Sequence, residues 1–332
     1  MMTPYVDGNH TDENVQVVAT TFSNSLIISI VYGIIEVFGL CGNILVILTV
    51  CSGTHRLQTN YYRLVFHLAV CSIILLLFGN VLFTIGPWLG TRYWSSPLWE
   101  LSCTVIQPIV SFIFTTELGL LVIIAILRHR AIAQPFQPNV TVKKLKYTII
   151  LIYIAPFLIN IPTFLSKQTV GRECTNKWKK NIYYYIFDWV LSLVCTLIPM
   201  IFLTVLYTKM CYSMARHQRN LRRLFAPEVT NSTNISGKSV ANKHYHLRLK
   251  NNFKMVIVSM IVLAQFFIAV IPISVLGKLV AHGREEDKFH MIWALPMYLL
   301  VSCSFNPIVY GIGDKTIRAG YKTALRKLIS CK

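Results

Sequence analysis

The chain has 332 residues, of which 54% are hydrophobic and only 14% charged, with a formal net charge of +19 and a mean hydropathy of +0.55. That balance is too apolar for a water-soluble core. The basic residues flank apolar stretches, where lipid attraction and topology account for them, so nucleic acid is not an expected partner.

Residues 1–25 are polar and carry Asp7, Asp12 and Glu13. They lack the basic start and short apolar centre of a cleaved leader, so the first apolar run is expected to act as the insertion signal. Crossing a hydrocarbon core of roughly 30 Å takes about 20 helical residues. Seven runs reach about that length: 26–51, 61–86, 105–127, 147–165, 182–210, 255–279 and 291–312. All are too long for barrel strands and none alternates with period two, which leaves helices as the spanning elements. The expected fold is therefore an all-α membrane protein, a bundle of seven helices over residues 26–312, with a cytoplasmic loop at 211–250. Residues 313–332 form a short tail in which Ile317, Tyr321, Leu325 and Leu328 share one helical face rimmed by lysine and arginine. This reads as an amphipathic helix on the inner leaflet, with membrane lipid as its partner. Cys331 just beyond it is a candidate for palmitoylation.

Seven spans place the loops alternately on two sides. One side carries 23 of the 32 lysines and arginines and, of the acids, only Glu228 and Asp314. That side is expected to be the cytoplasm, which puts the N-terminus outside. Among the N-x-S/T sequons, Asn9 then faces the lumen and is the candidate for glycosylation, whereas Asn139, Asn231 and Asn234 face the cytoplasm. Of nine cysteines only Cys103 and Cys174 fall on the oxidising side, and they are the expected disulfide.

The seventh run ends Asn306-Pro307-Ile308-Val309-Tyr310, one short turn before the amphipathic tail. Other residues fall in order along the chain: Gly42-Asn43, Leu68-Ala69, Cys103, Arg128 with Pro135, Pro199 and Tyr207, then Phe266 and Pro272. This set resembles the signature of rhodopsin-like (class A) G protein-coupled receptors and covers nearly the whole chain. The resemblance implies a plasma-membrane receptor that turns binding of an extracellular ligand into activation of a heterotrimeric G protein by helix rearrangement. In physical terms, prolines free backbone carbonyls and let helices five, six and seven bend. Arg128, Tyr207, Phe266, Pro272, Asn306, Pro307 and Tyr310 are the residues to which the resemblance assigns coupling and activation.

The chain also departs from that family. Where its members usually carry Asp-Arg-Tyr, this chain reads Leu127-Arg128-His129, and Asn252 stands where many place a glutamate in helix six. Arg128 then has no obvious ionic lock. A released arginine favours high basal signalling; a mis-oriented one gives an atypical, non-coupling or decoy receptor; a third reading leaves Arg128 as an anchor at anionic headgroups. The usual tryptophans of helices four and six are also replaced, at Ile152 or Tyr153 and at Val270.

The family's buried aspartate in helix two is Ser72 here, while helix three carries Glu117 where a serine is usual. These positions face each other in members of the family, so the resemblance implies that the charge has moved across from helix two to helix three. Asn43, Ser72, Ser302 and Asn306 are its expected oxygen-bearing neighbours. A carboxylate in the bilayer core must be paired, protonated or bound to an ion. Glu117 is therefore read either as a sodium site or as a protonated acid bonded to Ser72; no other cofactor is expected. Glu36 reads as a second acid reaching the outer cavity or Lys278, and Asp188 as one solvated at the interface.

The resemblance places the outer ligand pocket at Val110, Ser111, Phe114, Leu191, Ile273, Ser274 and Ile292. Val110 replaces the aspartate of monoamine receptors, and helix seven has no lysine for retinal, so the expected ligand is a peptide or another small molecule. The second extracellular loop, with Arg172, Lys177, Trp178, Lys179 and Lys180, attracts anionic or peptide ligands on one reading and is a solvated run on the other. An ion transporter or channel is the less favoured class, since the chain shows no internal repeat. His67, His129 and His282 are scattered in depth, which does not suit a membrane hydrolase.

Overall fold

The computed structural model describes residues 30, 33–52, 59–80, 97–133, 140–171, 173–178, 182–224, parts of 257–271, and 303–330. Among the sequence-derived site residues, Asn9, Phe266, Pro272, Ile273, Ser274, Ile292, Ser302 and Cys331 lie outside the described residues.

The first two helices are α1 (Gly33–Cys51) and α2 (Asn60–Asn80). Helix α3 runs through Pro97–Leu101, a π-helical turn at Ser102–Ile106 and Gln107–Ala133. Helix α4 spans Val142–Ser166 and is followed by the strands β1 (Lys167–Val170) and β2 (Glu173–Asn176). Helix α5 comprises Ile182–Ser192, a second π-helical turn at Leu193–Leu197, and Ile198–Leu224. Residues 260–265 belong to a helix, α6. The chain ends in α7 (Asn306–Gly313) and α8 (Lys315–Ser330).

Five helices among the described residues are long and apolar enough to cross a bilayer, covering the first five expected spans. Helix α3 is central and packs against α2, α4 and α5. Its contacts hold Leu64, Leu68, Leu75, Leu118, Leu120, Leu203 and Met210 almost fully out of reach of solvent. The outward surfaces of α4 and α5 expose Ile150, Leu151, Phe157, Ile201 and Phe202. In a bundle with no aqueous core to hide from, that apolar surface is where lipid belongs.

Several boundaries differ from the hydropathy reading. Helix α3 starts at Pro97 and continues to Ala133, and α5 runs on through Leu224, so 211–224 is helix rather than the start of a loop. Hydropathy marks where a chain leaves lipid, not where its hydrogen-bond ladder stops. The segment Ser213-Met214-Ala215-Arg216-His217-Gln218-Arg219 is polar, yet rich in residues that favour helix.

Local chemistry sets the other ends. Thr141 has extended backbone, and its side chain accepts a hydrogen bond from the Lys144 amide at 3.4 Å, capping α4. Asp314 breaks α7 from α8 with extended backbone (φ −107°, ψ 111°). Its Oδ1 accepts from the amides of Thr316 at 2.8 Å and Ile317 at 3.4 Å, so the same residue ends one helix and caps the next. Helix α8 folds back against α7: Ile317 is buried, and the Tyr321 hydroxyl donates to the Pro307 carbonyl at 2.9 Å. Burial, with Asp314 and Tyr61 nearby, pushes the Tyr321 hydroxyl well above the ordinary phenol range, so it stays protonated and keeps donating.

The end of α3 that the expected topology places outside is covered by the hairpin. Lys167 pairs with Asn176 and Val170 with Glu173 across β1 and β2, and Gly171 makes the turn at φ 60°, a conformation that suits glycine. Cys103 at the start of α3 is bonded to Cys174 on β2, Cα to Cα 5.6 Å, as the topology predicted. Burial lowers the Lys167 ammonium from its ordinary range, and nearby Asp188 partly offsets this.

Candidate functional site

Two polar regions lie along α3: one at mid-span around Glu117, the other around Arg128 at the end away from the hairpin, the inner mouth in the expected topology. The core region begins with α1. Proline has no N–H, so Pro307 leaves the carbonyl four residues earlier, that of Cys303, without its helical donor. Asn43 Nδ2 supplies it, at 3.0 Å, while also donating to the Gly39 carbonyl at 2.8 Å. The approach needs small residues. A Cβ on Gly42 would stand 3.0 Å from Pro307, and one on Gly39 would run into Ser304. Gly39, Gly42 and Asn43 thus form one seam that holds α1 to the bent entry of α7.

Glu117 on α3 is 1% exposed and Ser72 on α2 is 0% exposed. The Ser72 hydroxyl donates to Glu117 Oε1 at 3.3 Å, so the relocated carboxylate and the serine do face each other. Glu117 Oε2, Ser304 Oγ and Asn306 Oδ1 are buried oxygens with no hydrogen-bond partner among the described residues. A carboxylate with neutral oxygen donors is the chemistry of a hard cation site. No group of three or more His, Cys, Asp or Glu side chains occurs among the described residues, so a soft or transition-metal site has no ligand set there.

Tyr153, one of the two residues near the missing helix-four tryptophan's position, bridges α4 to α2. Its hydroxyl lies 3.2 Å from His67 Nδ1 and 3.7 Å from Cys71 Sγ. Further out, the Ser111 hydroxyl donates to Asn160 Oδ1 at 3.0 Å, and Asn160 Nδ2 donates to the Pro156 carbonyl at 2.8 Å. Sequence reasoning missed Asn160 and Tyr153 as bridging residues. Val110, Phe114 and Leu191 are half-buried on α3 and α5. Glu36 on α1 is buried.

At the inner mouth, Tyr207 and Tyr310 are buried and Arg128 is half-buried. Arg128 is held after all: its Cζ lies 3.6 Å from the centroid of the Tyr61 ring, at the start of α2. The sequence offers no acid beside the guanidinium and left a released arginine, a mis-oriented one and a headgroup anchor open; an aromatic partner was not among them. The residues around Tyr61 reach two other elements. Asn60 Nδ2 donates to the Val140 carbonyl ahead of α4, and the Tyr62 hydroxyl donates to Asp314 Oδ2 at 2.9 Å. Three consecutive residues thus tie α2 to α3, to α4 and to the α7–α8 corner.

A central helix packed on three others, a hairpin tied to it by a disulfide, a proline at the start of α7 and an arginine toward the other end of the central helix are the arrangement of a membrane receptor bundle. The chain matches the family described as 7 transmembrane receptor (rhodopsin family) over residues 42–310. It belongs to that family and is a G protein-coupled receptor. It is 25% identical over 317 residues to neuropeptide FF receptor 1 of Rattus norvegicus, covering 87% of this chain and 68% of that protein. Neuromedin-U receptor 2 of Mus musculus is 27% identical over 334 residues, covering 93% and 77% respectively. The match to the neuromedin-K receptor of Oryctolagus cuniculus, 26% over 212 residues, spans 61% of this chain and 42% of that receptor. Among solved structures, squid rhodopsin shares the fold with a TM-score of 0.74 at 18% identity, covering 93% of this chain and 87% of that one.

Proposed function

We propose that the protein sits in the plasma membrane with its N-terminus outside and its basic loops inside, binds an extracellular peptide, and activates a heterotrimeric G protein. The observation that carries coupling is Arg128: a cation half-buried at the inner mouth and held by a ring rather than by an acid. A peptide ligand is supported by the relatives' names, which are receptors for neuropeptide FF, neuromedin U and neuromedin K. The basic residues flanking the disulfide-anchored hairpin suit an anionic or extended ligand. Helix α8, with Lys322, Arg326 and Lys327 exposed, would lie on anionic lipid.

The test is a panel of G protein sensors in cells with verified surface receptor, read without ligand and again with a library of short peptides. Arg128→Ala is expected to abolish whatever signal the wild type gives. A signal that survives this change would overturn the role of Arg128. The second reading, an atypical or decoy receptor, is favoured by Leu127 in place of the acid, and a wild type silent under every condition at full surface level would select it.

We also propose that Glu117 and Ser72 hold a sodium ion, with Asn43 and Asn306 as surrounding oxygens; Ser302, expected beside them, lies outside the described residues. Sodium would supply a counter-charge that lets Glu117 stay ionised in the bilayer core. Purified receptor in detergent should then melt at higher temperature in sodium chloride than in choline chloride, and Glu117→Gln should erase the difference. Equal melting of the wild type in both salts would leave Glu117 as a protonated acid bonded to Ser72.

A further inference from the structure

We propose that Tyr61 takes over the task of the missing lock acid: its ring face holds the Arg128 guanidinium inside the closed bundle, and loss of that contact accompanies G protein coupling. The inference deepens the coupling reading above and rests on it.

The geometry is that of a cation–π contact. Arg128 Cζ stands 3.6 Å from the Tyr61 centroid, well inside the range of about 6 Å over which a ring quadrupole attracts a cation. Arg128 Nε and Nη2 are buried and have no hydrogen-bond partner among the described residues. Tyr61 is thus a described group that offsets burying this charge, through its ring face and through a hydrogen bond between its hydroxyl and Arg128. Leu127, beside it, supplies no carboxylate.

The ring is also fixed in place. Asn60 is bonded to the Val140 carbonyl, Tyr62 is bonded to Asp314, and the Tyr62 ring meets Tyr61 edge-on with centroids 5.1 Å apart. Tyr61 thus stands on a platform tied to the entry of α4 and to the α7–α8 corner. Movement of α7 would be felt through Asp314 and Tyr62 by the very ring that holds Arg128. A ring face is a weaker hold than a buried carboxylate and leaves no uncompensated charge when the arginine departs. It therefore sets a low threshold: a contact of this kind biases a two-state equilibrium by roughly 2- to 30-fold.

The experiment replaces Tyr61 with Phe, then with mono-, di- and trifluorinated phenylalanine by amber suppression, and finally with Leu. Fluorine drains the ring face while nearly preserving its shape, so folding is retained across the series. Two quantities are read: the melting temperature of purified receptor in detergent, and ligand-free G protein signal per surface receptor. Stepwise loss of melting temperature with fluorination, and a matching rise of basal signal reaching roughly 2- to 30-fold in Tyr61→Leu, are expected. A melting temperature indifferent to fluorination overturns the contact, whatever the signal does. A graded melting temperature with a measurable but unmoved signal overturns its role in coupling. A graded melting temperature in a receptor silent with and without peptide overturns the coupling reading itself, while the ring contact stands.

Discussion

Asn43→Leu is expected to lower stability by about 1–3 kcal/mol, the cost of removing the amide that donates to the buried Gly39 and Cys303 carbonyls. The Cys303 carbonyl is the one that Pro307 deprives of its helical partner and to which Asn43 Nδ2 donates at 3.0 Å. In lipid no water takes the place of the lost amide, so the cost lies toward the upper end. Leucine adds a second penalty, because Gly39 and Gly42 bring α1 so close to Ser304 and Pro307 that a branched side chain has nowhere to turn. Thermal melting of purified receptor reads the loss directly. An Asn43→Leu variant that melts with the wild type would show that another group satisfies Cys303.

The disulfide predicts a loss at least as large. Cys103 and Cys174 close a loop of sequence separation 71 and fix β2 over the outer end of α3. Removing such a bond costs about 2–5 kcal/mol. Cys174→Ser should therefore reach the cell surface in much smaller amounts, measured by flow cytometry on an N-terminal epitope. Because the two residues act as one unit, Cys103→Ser with Cys174→Ser should be no worse than either change alone. Additive losses would mean that each cysteine contributes separately and that the bond matters little.

How far these features could be read from the sequence depended on whether the partner was a local matter. The disulfide followed from topology alone, since only two cysteines face the oxidising side. The meeting of Ser72 with Glu117 followed from the family resemblance, which supplies the missing third dimension. The Asn306-Pro307 motif announced an orphaned carbonyl, but which residue would satisfy it needed the packing of α1 on α7. The end of α5 at Leu224 was missed because a polar helix leaving the membrane carries no hydropathy signal.

The Tyr61 contact was missed for a different reason. A lock is sought among acids, by charge, and nothing in Asn60-Tyr61-Tyr62-Arg63 distinguishes an aromatic platform from ordinary interfacial tyrosines. Tyr61 and Arg128 are far apart in the chain and on different helices, so their meeting depends on how α2 crosses α3. Tyr153 posed the same difficulty: the family's tryptophan was read as absent near it, and a phenol that reaches His67 and Cys71 is visible only once α2 and α4 are placed.

A single residue, Asp314, separates α7 from α8, and it is bonded to both the tail helix and Tyr62. There is no slack at this corner, so α8 is a rigid arm on a short pivot. Its 16 residues extend about 24 Å, and a tilt of about 10° at the pivot sweeps the far end through roughly 4 Å along the membrane surface. A small reorientation of the Asn306-Pro307 segment would thus be magnified along the amphipathic tail into a larger displacement of its basic residues.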